Sequence, residues 1–364
     1  MTLDVQSPVS AVHAGGMDTK GQNRVQVSSD VSDVEWNAYI SRHPDATVDH
    51  LWQWRDVFTG VFGHECTYLA AHGDQGVLGV LPLVLFRSRI FGRSVISLPF
   101  LNYGGVLADD DRVATALVQR AQEVAHTFGA AHVELRHVAR RMASLPFRQH
   151  KIGLSRRLPA TVDDLWKNID RKVRNQVRKA QKEGLTPVSG GSELVGEFYS
   201  VFARNMRDLG TPVYPRRLFD QTLALFPDRT RVFLVQQGGR TLAGGISIQF
   251  RDTILVPWAS SLREFRHLCP NMLLYWTMLE DAVGRGATMF DFGRSSADGS
   301  TVPFKLQWGA ESTPLHWEYV MLSGGAIPNQ GPSSPRFHTA VQLWKRLPYR
   351  FATEVGPLIA RHLP

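Results

Sequence analysis

At 364 residues the chain is longer than a single core usually grows, which predicts two domains. Its 43% hydrophobic and 20% charged residues are the balance of a soluble globular protein, and a formal net charge of +8 favours anionic partners: nucleic acid, phosphorylated donors, acidic glycans or an anionic membrane face. Two cysteines, Cys66 and Cys269, exclude a disulfide framework, and His64 beside Cys66 is too little to hold zinc, so no metal site is expected and a reducing cytoplasm is the default compartment.

Residues 1–26 are polar and lack the basic and apolar regions of a signal peptide, so a disordered lead-in is expected. The longest apolar run, 76–86, is broken by Pro82 and too short to span a bilayer. That run belongs to the first of two self-similar segments. Residues 68–81 align without a gap on 233–246, each reading strand, glycine turn, strand, the pattern of a β-hairpin. Residues 114–128 and 272–285 are both helical patterns, ended by Gly129 and Gly286. Each is followed by a strand that carries an acid, Glu134 in the first copy and Asp291 in the second. Strands at 151–159 and 314–322 are expected to close the two halves. Three matches in one order predict a tandem duplication in an α/β (α+β) chain. The first domain is expected at 27–160, the second at 161–325 and a helical tail at 326–364.

Between the copies, residues 163–184 place Leu165, Ile169, Val173, Val177 and Ala180 on one apolar face of a single helix, with Asp163 and Asp164 in its first turn. Its other positions are rich in cations, among them Arg171, Lys172, Arg174 and Arg178. These are a candidate phosphate or nucleic-acid surface, whose ordinary alternative is a solvated face. In the first copy Asn102 and Tyr103 offer polar tips beside Gly104 and Gly105, which would let the backbone approach a ligand. A proline-stiffened loop, 210–217, sets Tyr214 and the pair Arg216 and Arg217 at a helix start, where the arginines could clamp a phosphate or carboxylate.

The densest chemistry lies at 290–309. A strand runs into Asp291, Gly293 frees the backbone to turn, Arg294 and Ser295 follow, and Lys305 comes later beside Phe304 and near Trp308. Strand ends that open into glycine loops are where α/β folds place their chemistry. An acid, a guanidinium and an ammonium together suit an anionic, acyl-bearing substrate. Lys305 and Asp291 are the candidate catalytic pair. Arg294, Ser295, Tyr103, Asn102, Arg216, Tyr214, Phe304 and Trp308 are the candidate substrate contacts. With no nucleophile elbow and no cysteine in a motif, direct transfer is expected. Lys305 would stabilise the developing oxyanion or a donor phosphate, and Asp291 would orient or deprotonate the acceptor.

These landmarks, in this order, resemble the FemAB-like acyltransferases, and among them the branch associated with exosortase (PEP-CTERM) and exopolysaccharide gene neighbourhoods. The likeness runs from about Asp33 to near the C-terminus. Its carriers are Ser97-Leu98-Pro99-Phe100 with Tyr103-Gly104-Gly105, the basic segment 171–184, Gly210-Thr211-Pro212, Asp291-Phe292-Gly293-Arg294-Ser295, and Phe304-Lys305 with Trp308-Gly309. The resemblance implies two GNAT-like acyltransferase domains in tandem, transfer of an aminoacyl group from charged tRNA to an amine of a peptidoglycan precursor, and Lys305 at the transfer site. The sequence departs from that pattern twice. One basic helix stands where the tRNA-using enzymes have a longer helical pair, and residues 263–270 lack the glycine-rich pyrophosphate loop of CoA-binding GNAT domains.

The donor therefore stays open among aminoacyl-tRNA, acyl-CoA and acyl-carrier protein, with no cofactor bound. The acceptor is expected to be a small-molecule or lipid-linked glycan or peptide, and the protein a cytoplasmic monomer that reaches the inner membrane face. The rival reading is a non-catalytic module that binds anionic glycan, lipid or RNA. In the tail, Phe337, Val341 and Trp344 form a stripe on a basic helix, and Pro348 divides the segment into two helices. That stripe either covers the second domain or touches an anionic membrane.

Overall fold

The computed structural model describes residues 25–89, 91–322, 324, 326–328 and 335–363. Of the lead-in expected at 1–26, residues 1–24 lie outside the described residues, while Gln26 already belongs to a strand because it pairs with His72. The strands are β1 (Gln26–Ser28), β2 (Glu65–Gly73), β3 (Gly76–Ser88), β4 (Gly92–Ile96), β5 (Leu107–Ala108), β6 (His132–His137), β7 (Phe147–Arg148), β8 (Lys151–Arg157), β9 (Thr186–Gly190), β10 (Thr230–Gln237), β11 (Arg240–Phe250), β12 (Thr253–Ser261), β13 (Met289–Ser296), β14 (Glu311–Pro314) and β15 (His316–Met321).

They form two sheets. The first has the order β1-β2-β3-β4-β6-β15-β7, with β5 added to β3, and the second β9-β10-β11-β12-β13-β8-β14. The two orders correspond position by position. Each expected hairpin is present, β2 with β3 and β10 with β11, and each carries a register shift close to its turn. In each sheet one pair is parallel, β4 with β6 and β12 with β13. A parallel pair needs a crossover, and a helix supplies it in both halves. The first crossover, Asp111–Phe128, is capped by Asp110, whose carboxylate accepts the Val113 N–H at 2.7 Å, and stops at Gly129 with φ +70°. Its Val113, Leu117, Ala121 and Ala125 recur at four-residue spacing and are buried on the sheet. The second, Pro270–Gly284, is apolar nearly all round because it is covered on both sides.

The outer cover of that helix is the basic segment, and here the structure differs from the expected single helix. Two helices form, Val162–Lys167 and Arg171–Lys182. The break falls where Asp170 turns its carboxylate back to cap the second helix, taking the Lys172 N–H at 2.6 Å. Leu165, Ile169, Val173, Val177 and Ala180 all face inward as the pattern requires, and Trp166 meets Trp276 edge-on at 4.6 Å.

The closing strands are exchanged. The expectation was that 151–159 would complete the first half and 314–322 the second. Instead β8 pairs with β13 in the second sheet, and β15 pairs with β6 in the first. Only Leu315 separates β14 from β15, and one residue cannot make a hairpin turn. The chain therefore runs straight on from one sheet into the other. The two crossing segments touch, with the Leu315 N–H bonded to the Lys151 carbonyl at 2.9 Å.

The halves also share a core. The largest apolar cluster runs from Trp36 and Trp54 in the first half through Phe219 and Trp258 in the second to Tyr319 on the exchanged strand. Trp54 and Phe226 lie 5.2 Å apart across the boundary. The tail forms two helices, Pro335–Arg346 and Tyr349–Ala360, divided at Pro348 as expected. The Phe337 side chain lies outside the described residues. Val341 packs against Gly210, and Trp344 is half-buried with its indole nitrogen enclosed, so these two members of the stripe turn inward. The end of the tail reaches the first half, where His64 Nε2 lies 2.9 Å from the Arg361 carbonyl and the Ser88 hydroxyl donates to the His362 carbonyl at 2.8 Å. None of the described helices is long and apolar enough to cross a membrane.

Candidate functional site

The parallel ladders stop at equivalent acids: the last pair is Ile96 with Glu134 in the first sheet and Leu255 with Asp291 in the second. Beyond Asp291 the pairing of β13 with β8 is also interrupted until Arg294, and Gly293 in the gap has φ +70°. This bulge takes backbone groups out of the ladder and leaves them to side-chain partners.

Asp291 and Lys305 hold Gly293 from its two sides. The Asp291 Oδ1 accepts the Gly293 N–H at 2.7 Å. Lys305, on the short helix Val302–Leu306, donates its ammonium to the Gly293 carbonyl at 3.0 Å and the Arg294 carbonyl at 3.2 Å. Both side chains are more than nine-tenths buried. Burial pushes the Asp291 carboxyl up to about 6, against the opposing pull of its hydrogen bonds from Tyr103 and Gly293 and the charge of Lys305. Burial likewise pushes the Lys305 ammonium down to about 8, with Asp291 working the other way. A carboxyl and an ammonium whose values are both shifted towards neutrality thus meet on one turn, a feature shared by many functional sites.

The first half supplies the rest. The Tyr103 hydroxyl donates to Asp291 Oδ2 at 2.7 Å, and Asn102 Oδ1 accepts the Arg294 N–H at 3.3 Å. Those two residues are themselves fixed by Asp49, whose Oδ2 accepts the Asn102 N–H at 3.1 Å and the Tyr103 N–H at 2.8 Å. Asp49 is buried completely enough for its carboxyl to rise to about 7. The segment carries strain, with Leu98 at φ +57° and Phe100 at φ +71°, a region that costs a non-glycine residue about 1–3 kcal/mol.

Gly104 and Gly105 do let something approach, but it is the protein itself. A methyl on Gly105, at φ +96°, would overlap the His137 ring, which accepts the Val106 N–H at 2.9 Å through Nε2 and sets Nδ1 2.5 Å from buried Glu318. Gly105→Ala is expected to destabilise the fold by about 3 kcal/mol or more, from backbone strain and overpacking together. Chemical denaturation would measure it, and a loss below about 1 kcal/mol would show that the His137 ring can yield.

The remaining candidates divide. Ser295 is buried beside Thr301, hydroxyl to hydroxyl 3.1 Å. Arg294 is stacked 5.2 Å from the Trp317 centroid. Tyr214 packs at 5.8 Å from Phe100, and burial raises its hydroxyl, while the cations of Arg294 and Arg136 act against that rise. These stand with Asp291, Tyr103 and Asn102. Arg216 does not: it is half-exposed and pairs with Asp220, four residues along its own helix, at 3.4 Å. Phe304 and Trp308 pack against Tyr275, on the side of the short helix that faces the basic segment. With Asn168, Asp170 and Lys172 they line an open groove of about 810 Å³. Arg171, Lys172 and Arg178 are exposed and Arg174 half-buried, with the Arg178 guanidinium 5.3 Å from the Trp166 ring.

Four members of the site were not anticipated: Asp49, Arg136, Lys151 and Trp317. The run His132-Val133-Glu134-Leu135-Arg136-His137 is buried throughout, and four polar side chains in a fully enclosed strand are a signal the pattern did contain. Among the described residues no group of His, Cys, Asp and Glu could hold a metal ion.

Residues 167–306 match the family model of an acetyltransferase (GNAT) domain, a stretch that begins at the basic segment and ends just past Lys305. The chain resembles solved structures over most of its length. FemX superposes with a TM-score of 0.60 at 16% identity, covering 82% of this chain and 97% of that one. A tandem GNAT protein from the clavulanic acid biosynthesis pathway gives 0.53 at 12% identity, covering 84% and 100%. The fold is two GNAT-like domains in tandem. The C-terminal domain of a putative lysylphosphatidylglycerol synthetase from Agrobacterium fabrum shares it, with a TM-score of 0.55 at 13% identity over 89% of this chain and 96% of that one. Among the curated proteins no sequence matches. In this GNAT-like frame β12 and β13 are the parallel strands of the second domain, and the Gly293 turn sits where they part.

Proposed function

We propose that the chain is an acyl- or aminoacyltransferase of FemAB-like type, moving an acyl group directly onto an amine or hydroxyl of a cell-envelope or exopolysaccharide precursor. The observation that carries this reading is the Gly293 turn, held by Asp291 through its N–H and by Lys305 through its carbonyl. The acceptor attacks the donor carbonyl; the new C–N or C–O bond forms as the bond to the donor's oxygen or sulfur breaks. Asp291 takes the proton the acceptor sheds, and Tyr103 holds the carboxylate in place. The Lys305 ammonium faces the oxyanion. Asn102, Ser295, Arg294 and Tyr214 surround the substrate. The exposed cations at Arg171, Lys172 and Arg178 support a polyanionic donor, of which aminoacyl-tRNA, acyl-CoA and acyl-carrier protein are the three candidates. A lipid-linked acceptor would bring a cytoplasmic chain to the inner membrane face.

The pH dependence follows from the two buried groups. Asp291 works as the carboxylate, so turnover should rise with an apparent midpoint near 6. Lys305 works as the ammonium, so turnover should fall again through about 8. Asp291→Asn should abolish the acid limb along with most of the rate. The deciding assay presents each donor with a labelled amine or hydroxyl acceptor, with and without ribonuclease. Transfer lost on ribonuclease treatment identifies the tRNA-linked donor. Transfer from none of the three would remove the catalytic reading.

A further inference from the structure

Where the exchanged strands cross, two cations from two strands face one indole, and a third, Lys151, lies within electrostatic reach of both. Arg136 on β6 lies 4.2 Å from the Trp317 centroid and Arg294 on β13 lies 5.2 Å from it, while Lys151 opens β8 with its ammonium 2.8 Å from the Ser296 hydroxyl. Arg136 is 1% exposed, and its Nε is bonded to Glu134 at 2.7 Å. Its Nη1 has no partner among the described residues, and neither has the Nη1 of Arg294; both atoms are enclosed. A buried guanidinium N–H without an acceptor is costly, and two against one ring are costlier because the charges repel.

The carboxylates nearby do not settle the account. Glu134 is committed to Arg136 Nε and the Tyr319 hydroxyl. Asp49 accepts two backbone N–H groups and its carboxyl is pushed up to about 7, which weakens it as a counter-charge at neutral pH. Two acids act on Lys151, Glu134 and Asp298, and the second is exposed. His150, edge-on to Trp317 at 4.7 Å, is pushed down to about 4 by burial and the cations around it, so it adds no positive charge at neutral pH. Burial first, then Arg294 and Arg136, lower the Lys151 ammonium to about 8. The cluster thus holds an excess of unpaired positive charge with its donors already fixed in direction. Arg294, Lys151 and Ser296 are only partly covered, which leaves the approach on their side.

We infer that Arg136, Arg294 and Lys151 form a phosphate-binding site that holds one phosphate of a substrate beside the transfer centre. The inference rests on the reading of the Gly293 turn as the transfer centre, and it adds the substrate's chemistry. A carboxylate has two oxygens in one plane and suits a single guanidinium fork. Three donors arriving from β6, β8 and β13 in different directions match the three free oxygens of a phosphate ester. Arg294 is next to Gly293 in sequence, so the phosphate would sit close to the acyl carbonyl. That closeness fits a phosphate carried by the acceptor or by a short donor arm.

Calorimetric titration of the free protein with inorganic phosphate tests this without any transfer step. Saturable binding is expected, weakened at least tenfold in Arg294→Gln and severalfold in Lys151→Met, with both variants melting as the wild type does. Arg136→Gln breaks a buried ion pair and can unfold the chain. Arg136→Lys keeps the charge and loses the fork, and should weaken phosphate while the melting temperature holds. Glycerol phosphate and adenosine 3′,5′-bisphosphate serve as competitors; the stronger one identifies the phosphate as the acceptor's or the donor's. Absence of saturable binding, acetate binding as tightly as phosphate, or folded variants with wild-type affinity would overturn the site. A protein that binds phosphate through Arg294 yet moves no acyl group would keep this site and lose the catalytic proposal.

Discussion

Lys305→Met is expected to lower turnover by about 10²–10³-fold, with whichever donor the wild-type protein uses, while the variant folds normally. Removing one pre-aimed donor to a developing oxyanion has that effect in acyl transfer. The stability half of the prediction comes from the sign of the Lys305 shift. Its folded value, about 8, is below the 10.5 of an ordinary lysine, so the folded state binds its proton less tightly than the unfolded chain does. The charged ammonium therefore opposes folding fully below pH 8, and that opposition fades as pH rises from 8 towards 10.5. Methionine has similar length and no charge, so at pH 7 the substitution should leave the melting temperature equal or higher, less whatever is lost at the Gly293 and Arg294 carbonyls. Turnover within tenfold of wild type would take Lys305 out of the mechanism. A collapse in stability would mean that its hydrogen bonds matter more than its desolvation.

Separating the halves should have the second large effect. Residues 25–160 carry the first copy of the repeat, yet expressed alone they lack β15, the strand that pairs with β6 and β7. The missing strand brings Trp317, Tyr319 and Val320, all buried, and the buried Glu318 that faces His137. Each large apolar side chain removed costs about 1.5–3 kcal/mol. Added to the open edge this approaches the whole stability of an ordinary domain, about 5–15 kcal/mol. The fragment should show no cooperative unfolding transition, and should gain one when co-expressed with residues 161–364. A fragment that unfolds cooperatively by itself would show that the exchange is dispensable.

Much of the fold was legible because its signals are local. The hairpins announce themselves by glycine turns between apolar runs, and the crossover helices by periodicity and a terminal glycine. Asp291, Gly293 and Lys305 stand together in sequence because one strand, one turn and one short helix build that part of the site. Arg136, Lys151 and Trp317 did not stand out, since their meeting depends on which sheet each strand joins. Strands 151–157 and 316–321 have compatible patterns, and either sheet could accept either one; the single residue between β14 and β15 decides the matter by geometry. Asp49 was invisible for another reason. Its partners are two backbone N–H groups more than fifty residues away, and nothing in their side chains marks them. The close approach expected at Gly104 and Gly105 is made by the chain itself, the Ser97 carbonyl at the first and the His137 imidazole from β6 at the second, neither of which the local sequence marks.

The exchange also imposes a schedule on synthesis. Strand β6 is finished when His137 leaves the ribosome, but its neighbour in the first sheet, ending at Met321, is made only after nearly all of the second half. At ribosomal speeds that interval is on the order of ten seconds or more. Throughout it the first half presents an unfinished sheet with a ready-made row of backbone donors and acceptors, the kind of edge that recruits neighbouring nascent chains. The residues along that edge are His132, Glu134, Arg136 and His137, with only Val133 and Leu135 as apolar members between them. Charges inside a strand are a common guard against such pairing. The same Glu134 and Arg136 that end up enclosed beside Trp317 would, before that, guard the open edge.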